Sequence, residues 1–532
     1  MEKNEMREER RSEVPVLIAG AGPAGLAAAV ALARHGVPTL LVERRRTLSG
    51  LPRATVLSTG SMELLRAWGL EAEILAGAAD VEWVGWESAT LAAAAHGSPF
   101  PVGLPTREQS AAVSPTAPAC VPQDHLEPVL LRHLRTFPAA SVELGVELIG
   151  VQQAADGVRA TVRDAGTGRT RTLRARHLIA ADGAHSRARA ALGIAMRGAE
   201  LPEHAVTALF HAPLWDVLGT RRHGIYSVTR PVPGGTFLPA GPGDRWLYGM
   251  RWDPATERLE DYTPDRLATL IRLGAGVEKL RVRIARVGAF SFAAQLADTF
   301  RRGDVFLAGD AAHRVTPRGG TGLNTALRDG ADLGWKLAWV LRGWAPPALL
   351  DSYEAERRPV AEHNVARSAD PNGSVREVAE ELHADLGGRV PHAWLPSPAG
   401  RVSTLDLLGP GLTLFTGPEA AAWEAAAAAV SAGPPLAVRR LAVMTARALG
   451  LRGAGALLAR PDGAPAGWWP HGAADPAAAL CGAIGAAGGG REHGVAAAAG
   501  VLLTATGLAG TLCFGAWALA DRFRITRAAV LA

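Results

Sequence analysis

Short, wholly apolar runs recur along the chain, and each leads into a glycine- or acid-bearing loop. Residues 14–18 (VPVLI) are apolar and partly β-branched, the pattern of a strand buried on both faces. Residues 24–35 have helix-forming composition and stop at Gly36; residues 39–42 (TLLV) are a second apolar run, ending at Glu43. Residues 178–181 (LIAA) and 305–308 (VFLA) repeat the pattern and lead to Asp182 and Asp310. Residues 141–164 read as two strands, 165–168 (AGTG) as a hairpin turn and 170–177 as the returning strand. Buried runs separated by helical stretches predict an α/β fold around a parallel sheet.

The periodicity changes over about residues 205–287, where short apolar strands alternate with Gly/Pro turns, followed by a helix over 264–274 and a strand over 281–290. This suits an antiparallel sheet inserted between the halves of the α/β fold, and such a sheet can cover a cavity with one face. Tyr226, Phe237, Trp246 and Tyr248 are candidates to line a substrate pocket for a planar ligand there, although core packing is the commoner role for any one of them. Residues 79–106 also read as strands, with a turn at 96–99. Residues 109–119 read as a loop, and Asp124 as the N-cap of a helix running to about 137. From about 391, a strand (412–416), an Ala-rich helix (419–431), two strands (455–460 and 465–469) and a helix (474–487) suggest a separate small α/β layer. The domains expected are 14–200 and 289–375 as two parts of one domain, 201–288 as the insert, 391–488 as the C-terminal layer, and 489–532 as an apolar tail.

Within this frame the stretch 14–43 joins strand, glycine turn, helix, strand and acid in the context a bound dinucleotide requires. Gly20 permits the tight turn, Gly22 lets a pyrophosphate approach the backbone, and Gly25 allows the helix to pack closely on the strand. The helix start offers free N–H groups and the positive end of its dipole. Glu43 can accept hydrogen bonds from ribose hydroxyls. The fingerprint alone does not separate FAD from NAD. Asp182 opens a second loop facing the nucleotide. In a third, Gly319, Gly320 and Gly322 bring backbone amides to a helix start, and Asp310 can hold a ribityl or ribose hydroxyl. Arg53, in the polar loop 44–58, either reaches the pyrophosphate or is a solvated arginine. Gln123 stands at a helix entrance, where its amide can touch a ring edge.

Composition narrows the partners. With 48% hydrophobic and 20% charged residues over 532 positions, the chain is globular with ample core. The net charge of +5 is carried mainly by arginine, with no basic run interleaved with aromatics, so nucleic-acid binding is not expected; an arginine-lined route for anionic NADPH is compatible. Cys120, Cys481 and Cys513 form no CxxC and no metal-ligand spacing, which argues against a disulfide framework or a zinc site and fits a reducing, cytoplasmic setting. The charged N-terminal segment has no apolar core, so no secretory leader is expected. Residues 494–520, from Gly494 to Ala520, carry no charge, and at ~1.5 Å per residue they exceed the ~30 Å hydrocarbon thickness. A tail-anchored membrane helix, a buried or partner-docking helix and an unordered tail all fit.

Three segments in order, GAGPAG (20–25), DGAHSRAR (182–189) and GDAAHRVTPRGGTGLNTALRDGADLGWKLAWVL (309–341), resemble the signatures of the single-component FAD-dependent aromatic hydroxylases, the group that includes p-hydroxybenzoate hydroxylase. The segments PHAWLP, RVSTLDLLGPGLTLF and RPDGAPAGWW resemble the C-terminal domain of its aromatic polyketide and phenol hydroxylase branch. The resemblance implies a Rossmann-type FAD-binding domain, an inserted antiparallel-sheet substrate domain and a C-terminal thioredoxin-like domain. That last domain lacks a CxxC, so its role is structural or in oligomerisation; the apolar tail lies outside the family pattern. By the same resemblance Gly20, Gly22, Pro23, Ala24, Gly25 and Glu43, with Arg44 beside it, would hold the ADP half of FAD. Arg53 and Gln123 would contact the flavin, and Asp310 the ribityl chain. Leu323 and Asn324 would meet the isoalloxazine ring through the backbone, with Gly320 and Gly322 also binding the cofactor, Asp182 and Arg189 would contact both FAD and NADPH, and Pro317 would lie at the flavin face. Three departures stand out: Ala326 replaces a common glycine, Arg328-Asp329-Gly330 is a variant run, and Arg318 stands where smaller or neutral residues are frequent. A guanidinium there would bind an acidic substrate or steer the ring. The implied reaction uses NADPH (or NADH), O2 and a flavin C4a-hydroperoxide to hydroxylate a small aromatic substrate, polycyclic and phenolic or polyketide-derived. His313 and His223 are candidates for a base. Baeyer–Villiger insertion or epoxidation on the same scaffold, and a non-catalytic flavoprotein that holds an aromatic intermediate, are the alternatives.

Overall fold

The computed structural model describes residues 13–489 except 233 and 399. Strand Glu13–Ala19 is central to the first sheet, pairing in parallel with Thr39–Glu43 on one side and Thr170–Ala180 on the other. The order is Arg301–Arg302, Val305–Leu307, Thr170–Ala180, Glu13–Ala19, Thr39–Glu43, Ala140–Leu144. The antiparallel strands Val146–Ala154 and Gly157–Asp164 join through Thr170–Ala180. Residues 170–177 and 178–180, read separately from the sequence, are one continuous strand. The apolar runs follow from position: Val16, Leu17, Ile18, Ile179, Val305 and Phe306 are all fully buried.

Helix Pro23–Arg34 is buried along almost its whole length, from Ala24 to Ala33. Its small residues let backbone meet backbone. An added methyl at Gly25 would lie 1.9 Å from Gly20 O, and one at Gly330 would lie 2.0 Å from Ala24 O. The helix therefore sits tightly against both the glycine turn and helix Gly322–Leu341.

The second sheet has the order His313–Arg314, Arg283–Ala297, Met196–His211, Arg245–Trp252, Gly235–Pro239, His223–Val228, Glu82–Ser88, Ser98–Phe100. Its long strands Met196–His211 and Arg283–Ala297 pair antiparallel through two bulges. They run straight through residues 201 and 288, so the boundaries expected for the insert cut continuous strands: a pair this long carries the chain from one sheet's territory into the other without a linker. One face packs on helix Pro264–Ala275 through Leu267, Ile271 and Ala275. Residues 91–95, expected as strand, form with His96 a 3₁₀ helix capped by Thr90, whose hydroxyl accepts from Ala93 N–H. The expected loop around residue 109 begins as a short helix, Arg107–Ala111.

The described residues divide into two units. Both large sheets belong mainly to the first. The second consists of Arg107–Ala117, Lys336–Ser352 and the residues from His383 onward. Its sheet runs Leu436–Arg440, Leu412–Thr416, Ala456–Ala459, Pro465–Trp469, the first pair parallel and the others antiparallel. Helix Ala421–Ala429 makes the crossover a parallel pair requires. Strand Leu436–Arg440 is half-buried to exposed and ends in two arginines, so no apolar run marks it in the sequence. Residues 494–520, where a tail helix was an expectation, lie outside the described residues; no described helix is long and apolar enough to cross a membrane.

The contact of Gly330 with helix Pro23–Arg34 is testable. Gly330→Ala forces a methyl into the Ala24 carbonyl and is expected to cost about 1–3 kcal/mol, read as a lower denaturant midpoint with an unchanged slope.

Candidate active site

The parallel strands of the first sheet end in three loops that meet one another. The first is the turn after Glu13–Ala19. Gly20 has φ +107°, and a methyl there would lie 2.2 Å from Ala181 O, so glycine is required on both counts. A methyl at Gly22, by contrast, would meet no atom within 4 Å. Gly22 provides no side-chain cap, Pro23 is the first helical residue, and no acid stands in the first turn, so the helix start keeps free N–H groups. Across the turn, Glu43 Oε2 accepts from Ala21 N–H at 2.9 Å and Oε1 from Arg45 N–H at 2.9 Å. Arg44 is exposed.

The second loop, after Thr170–Ala180, is held from inside. Asp182 Oδ2 accepts from Arg187 and Ala188 N–H at 2.8 and 3.2 Å. Arg189 donates to Ala184 O at 2.9 Å and to Ala311 O at 3.1 Å, tying this loop to the third.

The third loop follows Val305–Leu307. Gly309 fits between Ala24 and Ala326, where a methyl would lie 3.1 Å from each Cβ; the alanine at 326 is accommodated because its neighbour is glycine. Asp310 keeps an exposed side chain, yet desolvation by surrounding protein pushes its carboxyl up, against His313, Arg53 and Arg314. Together these mark it as lining a recess. Beneath it, Asp329 is fully buried: Oδ2 accepts from Gly309 N–H at 3.1 Å and contacts His313 Nε2 at 2.6 Å, and Oδ1 accepts from Arg357 Nε at 2.8 Å. Burial alone would raise the Asp329 carboxyl, but His313 and Arg357 outweigh it and hold it low. Farther along, Gly322 opens helix Gly322–Leu341, where Leu323 and Asn324 are buried. Asn324 Oδ1 accepts from Ser58 N–H at 2.8 Å, and Nδ2 donates to Val56 O at 3.2 Å and Gly320 O at 3.0 Å. Loop 44–58 is thereby fastened to the third loop, and Arg53, exposed within it, is close enough to act on both Asp310 and Glu127. Gln123, first residue of helix Gln123–Leu134, has its backbone N–H on Ala54 O at 2.9 Å.

Several expectations change. Pro317 is exposed, but Arg318 is buried with Nη2 on both oxygens of Glu203 at 2.6 Å and Nη1 on Ser368 O at 3.2 Å. Its guanidinium is committed to the protein, so it does not stand free to take an acidic substrate. His313 is likewise committed to Asp329 and sealed from solvent. His223 stacks on Trp86 at 4.7 Å, and burial together with Arg221 lowers its pKa.

The four aromatics expected in a pocket are not there. Tyr226, Phe237, Trp246 and Tyr248 are fully buried in the core beneath helix Pro264–Ala275. Side chains alternate across a strand, so their neighbours occupy the other face. In register these are Ser227 beside Thr236, Leu238 beside Leu247, Gly249 beside Thr207, and Leu209 beside Leu247. This second face looks toward the loops: Arg245 pairs with Asp124 beside Gln123, Arg286 lies near Gly50, and Arg251 shares Glu203 with Arg318. Sequence reasoning missed this face, Glu203 and the Asp329 network. The alternation was legible, but which parity faces the loops was not.

A family model described as "FAD binding domain" matches residues 13–368, and one described as "Aromatic-ring hydroxylase, C-terminal" matches 383–487. The chain belongs to the FAD-dependent aromatic-ring hydroxylases. It is 36% identical to tetracenomycin A2 monooxygenase-dioxygenase of Streptomyces glaucescens, over 85% of this chain and 92% of that one. It is 36% identical to aklavinone 12-hydroxylase RdmE of Streptomyces purpurascens, over 89% and 98%. A solved ternary complex of aklavinone-11 hydroxylase with FAD and aklavinone superposes with TM-score 0.79 at 33% identity, covering 88% of this chain and 98% of that one. As an FAD-dependent aromatic hydroxylase the enzyme needs a cradle for the cofactor, and the open space at Gly22, the uncapped helix start and the recessed Asp310 fit one.

The two-faced sheet makes a contrast in variants. The Tyr248 hydroxyl and Trp246 Nε1 have no hydrogen-bond partner in the core. Tyr248→Phe is expected to leave stability unchanged or raise it, whereas Trp246→Ala should cost about 3–5 kcal/mol. Denaturant unfolding checks both, and a large loss in Tyr248→Phe would mean that hydroxyl faces a polar site.

Proposed function

We propose that the enzyme uses NADPH or NADH and O2 to hydroxylate a polycyclic, polyketide-derived phenolic ring, with FAD held across the three joined loops. The observation that carries this reading is the meeting of the glycine turn, the Asp310 loop and the Asn324 loop, with the second sheet joined to them through Arg245–Asp124 and Arg318–Glu203. The turn of Gly20, Gly22, Pro23, Ala24 and Gly25 would receive the pyrophosphate at the helix start, where Pro23 has no N–H, the Gly20 N–H is on Val42 O and the remaining free backbone N–H groups would donate, with Arg53 adding positive charge. Glu43 keeps lone pairs for a ribose hydroxyl beyond the two backbone bonds it accepts; Arg44 stands beside it. Asp310 would accept from the ribityl chain. Gly320, Gly322, Leu323 and Asn324 would meet the ring through backbone groups, since the Asn324 side chain is spent on Ser58, Val56 and Gly320. Asp182 and Arg189 would shape the NADPH side. When bound, the flavin supplies the hydride acceptance and oxygen activation that no side chain here can provide.

The rest falls to the protein. Thr207, Leu209, Ser227, Leu238, Leu247 and Gly249 form a face on which a flat, apolar substrate can lie and from which water is displaced. These residues lie on four adjacent strands, which span roughly 14 Å at ~4.8 Å per interval, room for several fused rings. Relatives named for aklavinone and tetracenomycin support the polycyclic class, and their naming as hydroxylases and monooxygenases favours hydroxylation. Pro317, exposed late in the third loop, would border the reacting ring. The second unit reads as a thioredoxin-like layer; with Cys481 exposed and without a disulfide partner among the described residues, a structural or oligomerisation role fits better than disulfide exchange.

The test begins with Gly22→Ala. Its methyl meets no protein atom within 4 Å, so apoprotein stability should be unchanged, yet it stands where the pyrophosphate must approach. FAD affinity measured by fluorescence quenching should fall at least about tenfold, more than 1.4 kcal/mol. Wild-type protein should consume NADPH faster on addition of a polycyclic phenol and incorporate one atom of labelled oxygen from O2. Unaltered FAD binding in Gly22→Ala, or product without the label, would refute the reading.

A further inference from the structure

Helix Gln123–Leu134 brings to the cleft a carboxylate that the proposed reaction leaves unused. Glu127 stands one turn after Gln123 and is 3% exposed, while Gln123 is 9% exposed. Gln123 Nε2 donates to Glu127 Oε1 at 2.6 Å. No ion pair reaches Glu127 among the described residues; the charges that face it are Arg53 and Arg45 from loop 44–58 and Glu43 at the end of its strand. Asp124, on the same helix, is occupied by Arg245 of the second sheet. Burying a carboxylate without a cation is costly, and a leucine would fill the same space without that cost.

What a carboxylate does here that leucine cannot is choose an orientation. A glutamine amide has a donating end and an accepting end, and an ionised carboxylate only accepts. With Nε2 taken by Glu127, Gln123 Oε1 is left with no hydrogen bond to any described residue. We propose that Glu127 is a positioning residue that holds Gln123 with its carbonyl oxygen presented to the FAD cleft as an acceptor, and that protonation of Glu127 releases this hold. The proposal rests on the FAD reading above. Burial pushes Glu127 up to about 7, opposed by the Gln123 hydrogen bond, Arg53 and Arg45 and assisted by Glu43. The sign follows: above about pH 7 the carboxylate is ionised and the amide has one orientation. Below it, the carboxylate takes a proton from solvent, and the neutral carboxyl can donate that O–H to Gln123 Oε1, so the amide can turn over.

Apoprotein reconstituted with FAD, and monitored by fluorescence quenching from about pH 5.5 to about 8.5, tests this across the interval that brackets the transition. Wild type should tighten about three- to tenfold as pH rises through 7, the worth of one hydrogen bond. Glu127→Gln should be flat at the weaker level. Gln123→Ala should also be flat, and the double variant no weaker than the weaker single one, because Glu127 acts only through Gln123. A pH step retained in Glu127→Gln, or additive losses in the double variant, overturns the proposal. Should Glu127→Gln lose its fold by circular dichroism, the Gln123→Ala profile decides alone: a retained step sinks the idea. If wild type binds no FAD at any pH, the FAD reading falls and this proposal with it, whereas wild-type FAD binding with no pH step refutes the role of Glu127 alone.

Discussion

The architecture depends on backbone approaching backbone around helix Pro23–Arg34. Side chains normally hold elements 8–10 Å apart. Here Gly25 lies against Gly20 O, Gly330 against Ala24 O, and Gly309 against Ala24 and Ala326. These contacts need positions with no Cβ, and they draw the glycine turn, the Asp310 loop and helix Gly322–Leu341 to a common point. Because the helix is wedged by its small residues, its uncapped N-terminus has a fixed place at the ends of the strands. An anionic group can then be met by N–H groups that need no reorganisation.

A second constraint lies beneath the first. Asp329 is fully buried and joins His313, Arg357 and the N–H of Gly309. A buried charge of this kind persists only when every partner is in place. It therefore couples the conformation of the Asp310 loop to helix Asp351–Ala369, where Arg357 sits and where the Tyr353 hydroxyl also donates to Leu307 O at 2.7 Å. The loop that faces the cleft is tied to the network behind it through Gly309 N–H and His313 on Asp329, while His313 Nδ1 and Arg357 Nη2 find no hydrogen-bond partner among the described residues. Arg318 follows the same logic: its charge is matched by Glu203 on the second sheet, so it serves to join the glycine loop to that sheet.

The first sheet was legible because strands buried on both faces are written as continuous apolar runs, and because the glycine turn has a single conformational solution. The acids at the strand ends were legible for the same reason: a loop that follows a buried strand in an α/β sheet lies at the ligand-binding edge. The second sheet was legible as strands but not as surfaces. Tyr226, Phe237, Trp246 and Tyr248 share one parity, and large aromatic residues suit either a cavity wall or a core. Helix Pro264–Ala275 covers that parity, leaving the smaller Thr207, Leu209, Leu247 and Gly249 to face the loops. Periodicity of two distinguishes the faces without saying which is covered, since the cover comes from elsewhere in the chain.

The sequence by itself determined the local elements, the dinucleotide turn and the family resemblance, because these rest on spacing within a few tens of residues: period, glycine position, and acid at a strand end. Tertiary structure decided which charges are free and which are spent. Arg318 and His313 read as available groups along the chain, and each is consumed by a partner that is remote in sequence or held in place by remote packing, Glu203 and Asp329; the Asn324 side chain, for which the sequence implied no role, is spent on Ser58. Hydrogen-bond partnership across such separations is fixed by how the sheets and helices pack, which no local pattern encodes.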